Sequence, residues 1–149
     1  MRLIIQRVRN AQVDVNQLTV GQIEKGLLVL IGIEDSDTHE DVNYLVGKLI
    51  NMRIFSDSEG KMNISVEDVQ GGLLLVSQFT LHALTAKGNR PSFIQAARPE
   101  KAIPLYEYFI QKTKESTLIP VETGIFGEDM QISMTCDGPV TIFMDSKNK

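Results

Sequence analysis

The sequence has little of the chemistry that many enzymes depend on, since it contains one cysteine and two histidines among 149 residues. The single cysteine, Cys136, excludes an intrachain disulfide and a CxxC metal cluster. The GxSxG, GxxxxGKS/T, GxGxxG and HExxH motifs are absent, so the common serine-hydrolase, P-loop, dinucleotide-binding and zinc-protease classes have no support. We therefore expect neither a metal nor another cofactor.

Long apolar runs are also missing, since no stretch approaches the roughly 18 residues that a membrane-spanning helix requires. Arginines lie within and after the short apolar patch at the N-terminus, unlike in a secretory signal peptide. We expect a cytoplasmic protein with no membrane partner. The length and the 42% hydrophobic content are typical of one globular domain, which we expect to span residues 1–149.

An excess of positive charge is lacking, since the formal net charge is −4 and the isoelectric point is about 5.2. This argues against a nonspecific nucleic-acid-binding protein, which usually carries a basic surface. The charge is uneven, however, because residues 81–114 carry six basic and two acidic side chains. That segment is compatible with a local contact to a phosphate backbone, and equally with a solvated helix face of mixed charge.

Short apolar segments predict an α+β domain rich in strands. The predicted strands are residues 4–8, 12–15, 27–33, 73–79, 130–135 and 140–144. Residues 136–139 are predicted to form the turn that joins the last two strands. Because short connections favour antiparallel pairing, we predict a single domain with a twisted, mixed or mostly antiparallel, barrel-like sheet and two packed helices.

Two segments show the apolar spacing of helices. Thr38 is the predicted N-cap of the first helix, whose apolar stripe runs from Val42 to Ile50. The second is predicted over residues 102–115, with Pro104 in its first turn, because a proline further inside would break the helix. The residues predicted to face inward in the second helix are Ile103, Tyr106, Phe109 and Ile110.

Polar residues follow the buried part of the strand predicted at 73–79, in the segment Ser77-Gln78-Phe79-Thr80-Leu81. Backbone N–H groups at a strand end can stabilise an oxyanion, while hydroxyl and amide side chains there can hold a substrate. The alternative is that these side chains only cap the end of their own strand.

Two other features are ambiguous on their own. His82 and Ser77 could belong to a catalytic triad, but no acid partner is indicated, so His82 is predicted to be a loop residue without a catalytic role. Gly138-Pro139 allows close backbone approach and a cis peptide bond, or is an ordinary hairpin turn.

Several short motifs occur together in a characteristic order. They are Gln6-Arg7-Val8, Phe55-Ser56-Asp57, Gly60-Lys61-Met62-Asn63, Ser77-Gln78-Phe79-Thr80-Leu81, Arg90-Pro91-Ser92-Phe93, Thr123-Gly124, Met130 and Asp137-Gly138-Pro139-Val140-Thr141. In this combination the whole chain resembles the D-aminoacyl-tRNA deacylase family, formerly the D-tyrosyl-tRNA deacylases. A related deacylase class has a PQATL-type block, so Ser77 and Phe79 favour the D-specific family.

The resemblance implies a homodimeric enzyme that hydrolyses the ester between a D-amino acid and tRNA, with glycyl-tRNA as a further substrate. It also implies that Gly138 and Pro139, joined by a cis peptide bond, enter the pocket of the partner subunit. Their carbonyl groups would collide with an L-side chain and leave room for a D-amino acid.

The resemblance further implies which residues act in the site. Backbone N–H groups at Phe79 and Thr80 would stabilise the oxyanion, Ser77 and Gln78 would line the site, and a ribose hydroxyl of the terminal adenosine would assist water. Thr80 as a nucleophile ranks second. The residues implied to bind substrate or tRNA are Arg90, Met130, Phe93 and Arg7.

Two departures from the family pattern stand out, because Cys136 replaces the usual asparagine before the Gly-Pro pair and Asn89 lies where a basic residue is frequent. A cysteine is a poor hydrogen-bond donor, so any bracing of the Gly-Pro pair would be altered. One alternative stays open from the residues alone, a non-catalytic RNA- or nucleotide-binding module on the same fold. A serine hydrolase that uses Ser77 and His82 has no motif to support it.

Overall fold

A six-stranded mixed sheet dominates the computed structural model, which describes residues 1–149. The strands of the chain are β1 (Arg2–Val15), β2 (Leu18–Ile23), β3 (Gly26–Gly32), β4 (Phe55–Ser56), β5 (Met62–Ile64), β6 (Gly72–Ser77), β7 (Val121–Thr123) and β8 (Gln131–Asp145). The sheet order is β2-β1-β3-β6-β7, and β8 also pairs with β1. Only the β3–β6 and β6–β7 pairs are parallel, while β4 and β5 form a separate antiparallel pair.

The sheet curls until its two ends meet. Gly21 of β2 lies so close to β7 that a Cβ atom on this glycine would lie 2.6 Å from the carbonyl oxygen of Thr123. The glycine is therefore needed where two backbones approach directly. The predicted mixed, barrel-like sheet with two packed helices is confirmed.

The first and last strands are longer than predicted. Residues 4–8 and 12–15 belong to one continuous strand, β1, and residues 130–135 and 140–144 fall almost entirely in one strand, β8. Both halves of β8 run antiparallel to β1, so the predicted turn at residues 136–139 is wrong. Gln6 pairs with Thr141 and Val8 pairs with Cys136, which leaves residues 137–140 as a bulge opposite Arg7.

Helix α1 (His39–Asn51) begins as predicted. The Thr38 hydroxyl accepts a hydrogen bond from the backbone N–H of Glu40, and the Asp41 carboxylate accepts one in return from the backbone N–H of Thr38. This capping box satisfies donors at the start of the helix. The predicted apolar stripe from Val42 to Ile50 is buried in the core between the helices and the sheet.

Helix α2 (Pro99–Ser116) begins three residues before the predicted start. Pro99 therefore occupies the first turn, and Pro104 is the sixth residue, so its predicted position is wrong. The helix continues because the carbonyl that Pro104 leaves without a donor belongs to Glu100, an exposed residue that water can reach. Ile103 is 36% exposed, so its predicted inward direction is also wrong. Tyr106 and Phe109 are buried as predicted, and Ile110 is partly buried.

Two apolar clusters fill the interior. The larger lies between the sheet and the two helices, and the smaller lies inside the curled sheet between β1, β2, β3 and β6. Neither helix combines the length and the hydropathy that crossing a bilayer would require.

Candidate active site

Strand β6 ends two residues earlier than predicted. Its last ladder pair joins Ser77 to Ile31 of β3, and the backbone N–H of Gln78 then donates to the carbonyl of Ile31 at 2.7 Å. The chain continues into a single 3₁₀ turn, Phe79–His82, which we call the 79–82 turn. The predicted polar segment therefore crosses from the end of a buried strand into a tight turn.

A cavity of about 290 Å³ opens beside the end of β6. Ser77, Gln78 and Phe79 line one part of it, and Phe126 and Met130 line another. Most of its lining is apolar, and Glu128 is the one titratable side chain in that lining. A cavity of this kind holds a ligand by shape and a few polar contacts, which is typical of small-molecule sites.

Met130 reaches the cavity because of a glycine beneath it. A Cβ atom on Gly124 would lie 2.5 Å from the sulfur of Met130, so any larger residue there would displace the thioether. The sequence motif Thr123-Gly124 followed by Met130 thus has a packing reason. Phe126 and Glu128, between them in the chain, were not identified from the sequence, which carries no periodic or motif signal there.

Thr80 lies in the 79–82 turn but does not line the cavity. Its hydroxyl oxygen accepts a hydrogen bond of 2.7 Å from the Nε2 of Gln78. No imidazole or carboxylate forms a hydrogen bond with that hydroxyl, and none joins Ser77 to His82. The structure therefore supplies no side-chain base for either candidate nucleophile.

Phe79 and Phe93 form an aromatic pair near the same end of the molecule. Their ring centroids are 5.1 Å apart, and the rings meet edge to face at 75°. Both rings are exposed in part, Phe79 by 56% and Phe93 by 37%. Arg90 lies in the exposed loop that leads to Phe93 and makes no ion pair.

Gly138 and Pro139 protrude from the sheet in the β8 bulge, and their peptide bond is cis. Both residues are exposed, and neither lines the cavity of its own chain. Arg7 lies beneath the bulge, where its Nε donates to the carbonyl of Asp137 at 3.1 Å and its Nη1 donates to the carbonyl of Ile54. The structure thus places Arg7 under the Gly-Pro pair and away from the cavity.

His82 ends the 79–82 turn and is buried, with 1% of its surface exposed. Its burial depends on Gly32 of β3, where a Cβ atom would lie 3.1 Å from the ring.

Tyr106 of α2 holds strand β6, because its hydroxyl donates to the carbonyl of Leu75 at 2.9 Å. Burial raises the pKa of Tyr106 well above its ordinary value.

Comparison with known proteins finds relatives that match almost the whole chain. A relative from Akkermansia muciniphila named D-aminoacyl-tRNA deacylase is 58% identical over 149 residues, which is 100% of this chain and 99% of the relative. A solved structure titled "c-Myc DNA Unwinding Element Binding Protein" is 37% identical, with a TM-score of 0.92 over 97% of this chain and 98% of that one. A solved probable eukaryotic D-amino acid tRNA deacylase, 22% identical, shares the fold, with a TM-score of 0.81 over 96% of this chain and 97% of that one.

The family described as D-Tyr-tRNA(Tyr) deacylase matches residues 4–145. That match runs from the third residue of β1 to the end of β8, including the end of β6, the 79–82 turn and the Gly138-Pro139 bulge. The chain therefore belongs to the D-Tyr-tRNA(Tyr) deacylase family and is an enzyme of the deacylase class.

Proposed function

We propose that the protein is a homodimer that hydrolyses the ester between a D-amino acid and the 3′-terminal adenosine of tRNA. The observation that carries this proposal is a separation within one chain. The cavity at the end of β6 and the protruding Gly138-Pro139 pair lie apart, although the proposed chemistry needs them together. A second copy would bring one chain's bulge to the other chain's cavity.

The chemical step needs little from side chains, because an aminoacyl ester is already reactive. Backbone N–H groups of Phe79 and Thr80 would stabilise the negative charge that develops on the carbonyl oxygen. Ser77 and Gln78 would position the substrate at the cavity wall. The neighbouring ribose hydroxyl of the terminal adenosine would hold or activate the attacking water, which fits a cavity with one titratable lining residue.

The apolar part of the cavity would receive the terminal adenosine. Met130 and Phe79 offer apolar surface for the adenine, and Phe93 extends that surface at the exposed rim. Arg90 is free to contact a phosphate of the acceptor end. Arg7 would act on the substrate indirectly, through the bulge that it holds.

Selectivity would come from the partner's Gly138 and Pro139. Their carbonyl groups would face the α-carbon of the substrate, where an L-side chain would collide with them and a D-side chain would point away. Glycyl-tRNA has no side chain to exclude and would also be hydrolysed. The proposed interface has apolar surface to bury, since Met134 and Phe143 of β8 are 47% and 56% exposed.

The proposal can be tested by measuring the release of free amino acid from matched D-aminoacyl-, L-aminoacyl- and glycyl-tRNA. We expect rapid release from the D and glycyl substrates and slow release from the L substrate. Sedimentation should give twice the monomer mass of 16.6 kDa. Binding of all three tRNAs without release would favour the alternative of a non-catalytic RNA-binding module.

A further inference from the structure

One stretch of the chain carries no acidic side chain, although the whole protein has a net charge of −4. Between the 79–82 turn and helix α2, residues 83–98 include Lys87, Arg90 and Arg98 and contain neither aspartate nor glutamate. All three cations are exposed, and none of them forms an ion pair. Exposed cations without carboxylate partners give this stretch a local positive potential, which attracts phosphate groups.

The middle of this stretch is a closed loop, residues 84–94, which we call the 84–94 loop. The backbone N–H of Leu84 donates to the carbonyl of Ser92 at 2.8 Å, and the N–H of Ser92 donates to the carbonyl of Leu84 at 3.0 Å. Just after the loop, the N–H of Ala97 donates to the carbonyl of Ile33 at 2.9 Å. The two cations between the bridged residues therefore lie on a loop whose base is fixed to the fold.

The same loop presents apolar side chains to solvent. Ile94 is 79% exposed and Leu84 is 41% exposed, while the ring of Phe93 meets the ring of Phe79 edge to face. Phe79 lines the cavity and Phe93 does not, so Phe93 lies one aromatic ring farther out. Aromatic side chains beside free cations are typical of surfaces that bind single-stranded nucleic acid, because bases stack on the rings and phosphates contact the cations.

We propose that the 84–94 loop binds the single-stranded nucleotides that precede the terminal adenosine of tRNA. The inference rests on the proposed function, which places that adenosine in the cavity against Phe79. The base of the preceding nucleotide would stack on Phe93 beside Ile94, and the cations of the loop would contact its phosphates. Because stacking does not read the hydrogen-bonding groups of a base, this contact would tolerate different bases. Paired nucleotides, whose bases are already stacked inside a duplex, would not fit the loop.

Substrates of increasing length test the loop through turnover. A D-aminoacyl ester of adenosine alone reaches only the cavity, whereas the same ester on a tetranucleotide ending in adenosine also reaches the loop. We expect the wild-type kcat/KM to be roughly tenfold higher for the tetranucleotide ester, which corresponds to the stacking of one base. Equal values for the two esters would overturn the proposal.

Three variants assign this gain to the loop, and the ratio of the two kcat/KM values cancels any effect on the cavity itself. Phe93→Leu keeps an apolar contact with Phe79 but removes the ring face, so the ratio should fall roughly fivefold. Ile94→Ser removes exposed apolar surface beside that ring, and the ratio should fall roughly twofold. Arg90→Gln should make the ratio less sensitive to salt, with a slope of its logarithm against the logarithm of salt concentration that is shallower by about 0.7.

Matched controls come from the other end of α2, about 27 Å along this helix of 18 residues. Leu118 and Lys114 are both exposed there. Leu118→Ser is the control for Ile94→Ser, and Lys114→Gln is the control for Arg90→Gln. Both controls should keep the wild-type ratio and its salt dependence. If Phe93→Leu and Arg90→Gln keep them as well, the loop does not bind the RNA.

Methyl NMR tests the loop without turnover, with the tetranucleotide free of its amino acid as the probe. We expect the methyl signals of Ile94 to shift as this RNA is added and those of Leu118 to stay in place. An RNA hairpin whose 3′-terminal nucleotides are paired should cause much smaller shifts. Unmoved Ile94 signals, or equal shifts with the paired RNA, would overturn the proposal. If no D-aminoacyl-tRNA is hydrolysed, the proposed function fails, and this titration alone decides whether the loop binds single-stranded RNA.

Discussion

Two interruptions of the sheet, the 79–82 turn and the β8 bulge, differ in how the chain supports them. The turn is held from several sides, by the Gln78 N–H on Ile31, by Arg2 on Leu81 and by the packing of His82. The bulge protrudes into solvent, and Arg7 donates the one side-chain hydrogen bond to its backbone. The 79–82 turn is thus packed against the core, whereas the β8 bulge is supported by one buried side chain, that of Arg7.

This difference fits the two roles that we propose. Oxyanion stabilisation needs donors that do not reorganise during the reaction, which a turn packed on β3 provides. Rejection of L-amino acids needs backbone that projects beyond its own chain, which an exposed bulge provides. Neither role uses a reactive side chain, so a protein with one cysteine and two histidines can carry both.

Gly138→Ala should have the largest effect, and it tests the exposed region. Gly138 has a φ of +127°, and a Cβ atom there would lie 3.0 Å from Val140 and 3.2 Å from Arg7. The added methyl group would strain the bulge and obstruct the partner's cavity. We expect kcat/KM for D-aminoacyl-tRNA to fall roughly tenfold to a hundredfold, the equivalent of about 1–3 kcal/mol.

Gly60→Ala is the control for this change. Gly60 has a φ of +80° and nothing within 4 Å of an added Cβ atom. It should lose some stability through backbone strain and keep its turnover. Unchanged turnover and unchanged D-over-L selectivity in Gly138→Ala would contradict the proposed gate.

Arg7→Gln should have the next largest effect, because it removes the support of the bulge. Arg7 is 8% exposed, and its loss leaves the carbonyl groups of Asp137 and Ile54 without their donor. We expect the free energy of unfolding to fall by about 2–3 kcal/mol, measured by urea denaturation. The ratio of D to L hydrolysis should fall more than the rate with the D substrate.

Arg9→Gln is the matched control for Arg7. Arg9 also approaches Asp137, with its Nε 3.7 Å from Oδ1, but its side chain is 74% exposed. An exposed pair contributes little, so both stability and selectivity should stay close to wild type. If Arg7→Gln lowers stability and leaves the D-to-L ratio unchanged, the bulge does not set selectivity.

Tyr106→Phe tests the buried region and should cost less. The carbonyl of Leu75 that accepts from Tyr106 also accepts from the Gly124 N–H, so it keeps one partner in the variant. We expect a loss of about 1 kcal/mol in the free energy of unfolding at neutral pH, with turnover nearly unchanged.

The pH dependence of this variant has a definite sign. Because burial raises the pKa of folded Tyr106 above the ordinary value of 10.0, the neutral phenol stabilises the fold below that pH. The stabilisation is lost as pH rises above 10, so Tyr106→Phe should lose less stability there than wild type. Tyr108→Phe, whose hydroxyl bonds Asn43, is the control and should keep the wild-type alkaline slope. If Tyr106→Phe keeps the wild-type slope, a group other than Tyr106 causes the loss of stability above pH 10.

The two regions also differ in how far the sequence predicts them. The first helix and the buried parts of β3 and β6 follow from local patterns, because capping residues and apolar spacing act within a few residues. The bulge does not, since Gly138-Pro139 has the local pattern of a turn. Only its pairing with β1 and the position of Arg7 opposite keep the strand continuous.

The burial of His82 was unpredictable for a related reason. It depends on the missing side chain of Gly32, fifty residues away in the chain, and on the end of β6 stopping at Ser77. The start of the second helix was predicted at the wrong proline. The sequence contains both Pro99 and Pro104, and Pro99 is the one that occupies the first turn. Residues that line the cavity from the segment around Phe126 carry no local signal at all.

Thr80→Ala should have the smallest effect, although the backbone N–H of Thr80 is one of the two proposed oxyanion donors. The variant keeps the backbone N–H and loses only a hydroxyl that accepts from Gln78. We expect turnover of D-aminoacyl-tRNA to stay within about threefold of wild type, the worth of one ordinary hydrogen bond. The measurement is single-turnover release of amino acid, with tRNA binding followed separately. If Thr80→Ala abolishes release while binding persists, and Thr80→Ser restores it, the side chain is the nucleophile. In that case the buried region would act through a reactive side chain and the exposed region through its backbone alone.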